Sequence, residues 1–191
     1  MSKSLVIFAS GSGSNAENIV RYFENHPEIE VRAILTNNPN AGVLDRADRL
    51  GIPGRVFNRE KFRNPDYMLK VLRDFETDYI ILAGFLWLVP SYLVESFERK
   101  MINIHPALLP AYGGNGMYGD NVHRAVVADG VSESGITIHF VNERYDEGVV
   151  IAQFTCPVNS DDTPDSLAER IHELEYAHFP PTIEQVIKDN S

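Results

Sequence analysis

An amide and an imidazole stand two residues apart in Asn103-Ile-His105-Pro-Ala-Leu-Leu-Pro110, at the end of a segment that reads as a β-strand. A side-chain period of two puts both groups on one strand face. In open parallel sheets, ligands collect at the carboxyl ends of the strands. A donor and a titratable ring aimed together into such a crevice suit addition to a carbonyl, where an oxyanion forms and a departing nitrogen needs a proton. A strand-end histidine is also common as a structural residue, so its pairing with Asn103 is what points to chemistry. Asp146, in a polar turn beyond His139, is a candidate carboxylate partner: beside His105 it would favour the charged ring and raise its pKa. Turn aspartates also arise for local backbone reasons.

A second device lies at the other end of the chain. Ser10-Gly-Ser-Gly-Ser-Asn15 joins an apolar strand to an amphipathic helix, where backbone N–H groups and the helix dipole make an anion site. Glycines allow close approach, and Ser12, Ser14 and Asn15 add uncharged donors; a turn plus a helix cap would use the same residues without a ligand. Gly11-x-Gly13-x-x-Ala16 also fits the dinucleotide fingerprint, but the acid expected about 20 positions on is replaced by Leu35-Thr-Asn-Asn38. A monophosphate is therefore favoured over a dinucleotide. No metal is expected: the histidines at 26, 105, 123, 139, 172 and 178 show no paired ligand spacing, Cys156 is alone, and the zincin-like His172-Glu173 has Tyr176 where a second histidine belongs.

These residues need a scaffold. Apolar runs at Ser4–Ala9, Glu30–Leu35, Arg55–Phe57, Tyr79–Ala83 and Met101–Ile104 alternate with helical patterns at Asn15–Asn25, Val43–Leu50 and Pro65–Phe75. Gly135–Val141 and Val149–Phe154 flank a polar turn and predict an antiparallel hairpin, and Ser166–Ile187 predicts a helix broken at Pro180-Pro181. The fold class is α/β: a Rossmann-like, mostly parallel twisted sheet with helices on both faces and a C-terminal antiparallel hairpin. The 191 residues suit a single domain, 1–191. Seventeen Lys+Arg against twenty-seven Asp+Glu leave a net charge of −10, which argues against broad attraction to nucleic acid or an anionic membrane. The longest apolar stretch, Tyr79–Pro90, falls short of the roughly 20 residues that span a bilayer. With one cysteine and no signal-peptide core at the N-terminus, the cytoplasm is the expected compartment.

Ser10–Asn15, Leu82-Ala-Gly-Phe85, Asn103–Pro110 and Gly135–Val141 followed by Asp146-Glu-Gly148 occur in an order that resembles the phosphoribosylglycinamide formyltransferases, over nearly the whole chain. The Asn-x-His-Pro-x-Leu-Leu-Pro block by itself is shared across the formyltransferase superfamily. Methionyl-tRNA formyltransferase and formyltetrahydrofolate hydrolase, which resemble it in part, carry additional domains that this length does not accommodate. The resemblance implies formyl transfer from 10-formyltetrahydrofolate, a cosubstrate, to glycinamide ribonucleotide, with no metal, no nucleic acid or membrane partner, and a homodimer left open. It implies Asn103, His105 and Asp146 as the catalytic trio and Gly13, Ser14, Asn15 and Glu175 as the nucleotide site. Folate would lie along Leu86, Trp87, Leu88 and Val89, against Asn103, with Arg63 near its glutamate tail. Trp87 stands where some relatives have arginine. Tyr112–Gly119 is longer than the corresponding loop in many relatives and suggests a flap over the substrate. A formate-releasing hydrolase and a noncatalytic nucleotide-binding module are the other classes that use these residues.

Overall fold

Residues 2–190 are described by a computed structural model. In chain order the elements are β1 (Lys3–Phe8), α1 (Ser14–Phe23), β2 (Ile29–Thr36), α2 (Val43–Leu50), β3 (Gly54–Val56), α3 (Arg59–Arg63), α4 (Pro65–Asp74), β4 (Tyr79–Leu82), α5 (Ser91–Ser96), β5 (Met101–His105), α6 (Asp120–Asp129), β6 (Glu133–Phe140), β7 (Val150–Pro157) and α7 (Pro164–Asp189). The strands form one seven-stranded sheet in the order β3-β2-β1-β4-β5-β6-β7. It is parallel from β3 to β5, while β6 runs antiparallel to β5 and β7 antiparallel to β6.

The apolar run Leu5–Phe8 of β1 and the whole of β4 are buried on both faces. Leu5 and Ile7 face a core shared with α1, α6 and α7, whereas Val6 and Phe8 face a second core with α4 and α5. Strand order turns back between β1 and β4, and the crevice at the carboxyl ends of those strands is the position where such sheets bind ligands. The β1–α1 loop, the segment after β4 and the end of β5 all open there.

Three helices lay outside the sequence reading: α3, α5 and α6. The first two are a single turn or two and leave little periodicity to detect; α6 buries only Val122, His123 and Val126 and follows directly on a glycine-rich segment. The expected break at Pro180-Pro181 is corrected, since α7 runs continuously from Pro164 to Asp189. Pro180 has no N–H for the Tyr176 carbonyl one turn earlier, and that carbonyl instead accepts a 3.0 Å bond from Asn18 Nδ2 on α1. The tertiary contact thus relieves the local defect.

Ile81 is fully buried in β4 at the centre of the sheet. Ile81→Ala should destabilise the protein by about 2–5 kcal/mol, read as a lowered denaturation midpoint; a loss below about 1 kcal/mol would mean that the β4 core is not close-packed.

Candidate active site

The β1–α1 loop is shaped by one glycine. Gly13 has φ of +79°, and a Cβ there would overlap the Val43 side chain, so α2 packs against a backbone that no other residue could supply. The Val43 N–H in turn donates to the Gly11 carbonyl. This leaves the first N–H groups of α1, at Ser14, Asn15 and Ala16, without intrahelical acceptors and facing the crevice. Ser10 ties three strand ends together: its Oγ donates to Asn37 Oδ1 at 2.7 Å and accepts from the Leu86 N–H at 3.0 Å, and its N–H donates to the Gly84 carbonyl. Asn37 therefore has a structural task at the end of β2, where a dinucleotide site would need its acid.

Side chains from distant elements meet over this loop. Asn15 Nδ2 donates to Glu175 Oε2 on α7 at 2.8 Å, while Asn15 Oδ1 is buried without a partner. Burial pushes the Glu175 carboxyl up, against the opposing Asn15 bond and the charge of His172. Across the crevice, β5 and β6 place Asn103 opposite His139. The His139 Nδ1–H donates to the Phe140 carbonyl at 2.9 Å, which leaves its Nε2 to accept from Asn103 Nδ2 at 3.0 Å. A second amide hydrogen of Asn103 is free for a ligand. His105, 3 % exposed, donates from Nε2 to the Tyr112 carbonyl at 2.7 Å, and its Nδ1 lies 3.5 Å from Asp146 Oδ2. That same carboxylate oxygen accepts the Gly114 N–H at 3.0 Å, and Oδ1 is 3.7 Å from His139 Nε2.

The electrostatics add a larger, opposing effect to the one expected from Asp146. Asp146 does lie beside His105, but burial pushes the His105 ring below its ordinary value and outweighs the raising effects of Asp146 and the Tyr112 carbonyl. At neutral pH this favours the uncharged imidazole. Burial also opposes ionisation of Asp146, yet His139, His105 and the Gly114 N–H together hold that carboxyl below its ordinary value. A neutral ring beside a fixed carboxylate can accept a proton and have the resulting charge stabilised.

Asn103, His105 and Asp146 line one cavity of about 390 Å³ together with Gly13, Ser14, Asn15, Leu86 and Glu175. The loop from Gly114 to Gly119 forms another wall, held by the bonds from Tyr112 to His105 and from Gly114 to Asp146. Trp87, Leu88, Val89 and Arg63 are not in this cavity; they surround an adjoining one of about 430 Å³. Val89 is largely given to the core. Tyr145 lines both cavities. Sequence reasoning overlooked His139, His123, His172, Phe85 and Tyr145 as lining or supporting residues. His139 was within reach, because alternation in β6 puts it on the face that pairs with Asn103; the other two histidines sit on helices whose packing the sequence did not disclose. Among the described residues, no group of three or more His, Cys, Asp or Glu is placed to hold a metal, and no helix is long and apolar enough to cross a membrane.

A family model described as formyl transferase matches residues 3–183. The chain is 36% identical to the phosphoribosylglycinamide formyltransferase of Bacillus subtilis, over 99% of this chain and 97% of the relative. It is 40% identical to a chloroplastic phosphoribosylglycinamide formyltransferase of Vigna unguiculata, of whose length it spans 62%. The chain likewise spans 66% of the length of an Arabidopsis thaliana relative of the same name. Among solved structures, the phosphoribosylglycinamide formyltransferase from Anaplasma phagocytophilum superposes with a TM-score of 0.89 at 32% identity, covering 99% of this chain and 89% of that one.

Buried His105 and His123 are both held below the ordinary value of 6.5, burial being the first cause in each. The unfolded chain then binds protons more readily than the folded one, so their contribution to stability is present above 6.5 and is lost as the pH falls toward their folded values. The denaturation midpoint should drop between about pH 7.5 and about pH 5, and less steeply in His105→Asn. Parallel profiles for the two proteins would exclude burial of a neutral His105.

Proposed function

The chain belongs to the formyl transferase family, and on that premise we propose that it transfers the formyl group of 10-formyltetrahydrofolate to the amine of glycinamide ribonucleotide, a step of purine biosynthesis. The observation that carries this reading is the convergence of Asn103, His105 and Asp146 on one cavity that also opens onto the first N–H groups of α1. Residues 1–191 act as one such unit, and the cytoplasm suits a chain with one cysteine.

In this reading the nucleotide's phosphate lies on Gly13, Ser14 and Asn15. Its glycinamide end reaches Glu175, whose position is set by Asn15. Folate enters past Leu86, with Trp87, Leu88, Val89 and Arg63 around the adjoining cavity. An apolar slot edged by backbone hydrogen-bonding groups suits a pterin. The neutral amine attacks the formyl carbon, and a carbon–nitrogen bond forms as the carbonyl oxygen takes up negative charge. Asn103, with one amide hydrogen uncommitted, donates to that oxygen. The attacking nitrogen must lose a proton and the departing folate nitrogen must gain one. His105 begins neutral, takes up positive charge during this relay under the stabilising field of Asp146, and returns the proton as the carbon–nitrogen bond to folate breaks. The products are the formylated nucleotide and tetrahydrofolate.

Incubation with glycinamide ribonucleotide and 10-formyltetrahydrofolate should yield the formylated nucleotide by mass spectrometry; formate alone would establish a hydrolase. Asn103→Ala should lower kcat about 100- to 1000-fold with little change in KM. Equal loss of affinity at unchanged kcat would remove Asn103 from the oxyanion site.

A further inference from the structure

The two edges of the sheet are finished differently. β3, at one edge, is three residues long and carries Arg55, and short, charged edges are the usual guard against pairing with another chain. β7, at the other edge, runs for eight residues from Val150 to Pro157. Residues 149–160 include no acidic, basic or histidine side chain. Val149 and Val150 are 66 % and 47 % exposed.

Hydrogen-bond parity shows which groups of β7 face outward. Pro157 lies opposite Glu133, and the next N–H, that of Val158, donates to the Ser132 carbonyl. In an antiparallel ladder alternate residues turn both N–H and C=O to the same neighbour, so Cys156, Phe154 and Ala152 bond inward to β6. The N–H and C=O of Thr155 and Gln153, and the Ile151 carbonyl, are directed away from it. Among the described residues nothing outside the sheet bonds those groups. Pro157 ends the run: it has no N–H, and its carbonyl accepts Arg170 Nη1 at 2.7 Å. At the other end the register shifts between Ile138 and His139, which leaves 152–157 as the regular stretch. The side chains do not block this edge. Phe154 stacks on His178 of α7, and Gln153 Nε2 donates to the Leu109 carbonyl and to Thr137 Oγ1, so both are held against their own sheet.

We infer that β7 is an interface for a second copy of this chain, paired antiparallel about a two-fold axis at Gln153. The outward groups match themselves in that register. The Gln153 N–H of each copy donates to the Gln153 carbonyl of the other, and the Thr155 N–H to the Ile151 carbonyl, so the two seven-stranded sheets become continuous. A two-fold contact uses one patch twice and therefore needs a patch that does not repel itself. The uncharged run 149–160 meets that need in a chain of net charge −10. Val149 comes against Pro157 of the other copy, which takes exposed apolar surface out of water.

The test is sedimentation velocity over a concentration series, with amide hydrogen exchange on the same samples. The wild-type chain should associate to a dimer as its concentration rises, and the Gln153 and Thr155 amides should gain protection in step. Thr155→Pro removes an outward N–H that the folded monomer does not use, a substitution that an edge strand accommodates. It should weaken the dimer at least about tenfold, as for a lost backbone hydrogen bond, with an unchanged circular dichroism spectrum. Gln153→Cys places two thiols across the axis, where hydrogen-bonded pairs hold Cα atoms about 5.5 Å apart, within disulfide reach, and should cross-link under oxidation. Thr155→Cys should not, because its counterpart lies four residues along the pair, about 13 Å away. Wild-type protein, with its buried Cys156, sets the background. A wild-type chain that stays monomeric at every concentration would overturn the proposal, as would a dimer untouched by Thr155→Pro or equal cross-linking of the two cysteine variants. Protection of those amides only on adding an unrelated extended peptide would assign the edge to a different occupant and end the proposal equally.

Discussion

The register of β5 against β6 is the constraint on which the site depends. Asn103 pairs with His139 and His105 with Thr137 across that ladder, and because side chains alternate, a slip of one residue would put His139 and Thr137 on the opposite face from Asn103 and His105. The same pairing returns the chain through the β6–β7 connection so that Asp146 meets both histidines. That connection is itself tight: Asp146 has φ of +58°, and a Cβ at Gly148 would collide with the Phe140 carbonyl. Thr137, fully buried, joins the ladder to the segment after β5, accepting from the Leu109 N–H and donating to the Ala107 carbonyl. The antiparallel extension of an otherwise parallel sheet is thus what converts a strand-end histidine into one member of a polar cluster.

Within that cluster, burial and charge act in opposite directions on neighbouring groups. Burial pushes the His105 ring below its ordinary value despite the adjacent carboxylate, while the neighbouring histidines and the Gly114 N–H hold Asp146 below its own despite its desolvation. A chemical step that places transient positive charge on the imidazole then finds its counter-ion already oriented, with little reorganisation at the moment of reaction. A permanently charged His105 could stabilise an oxyanion but would have no capacity to take up a proton from an attacking group. The flap-like segment is part of this balance, since the Tyr112 carbonyl and the Gly114 N–H contact the two groups directly. Its position and the proton affinity of the pair are therefore physically linked.

Much of this scaffold is legible in the sequence, for reasons that differ by element. β1 and β4 read as strands because both faces are buried, and α2 ends at Gly51 because a left-handed cap needs glycine there. The anion loop is visible since its glycines have local causes. What the sequence withholds is whatever depends on the sum of tertiary contacts. The Tyr176 carbonyl left open by Pro180 within α7 finds its donor in Asn18, far away on α1. The protonation of His105 depends on how much surrounding protein excludes water, which no spacing between His105 and Asp146 discloses. His123 and His172 carry no motif and reach the cavity only because α6 packs against α7 and α7 against α1.

That packing leaves the open N–H groups at the start of α1 inside a chain whose net charge is −10. The overall field repels a phosphate, but repulsion between exposed charges is screened beyond roughly 8 Å at physiological ionic strength, whereas the helix dipole and open N–H groups act at contact. Permanent cations near the loop are drawn off: Glu17, in the first turn of α1, holds Arg46 and Arg21. The cavity is left with neutral donors and imidazoles, and with no lysine or arginine among the described residues. Such an arrangement keeps the resting cavity free of strong fixed positive charge next to Glu175, so that this carboxylate is not locked into an internal ion pair with a lining lysine or arginine.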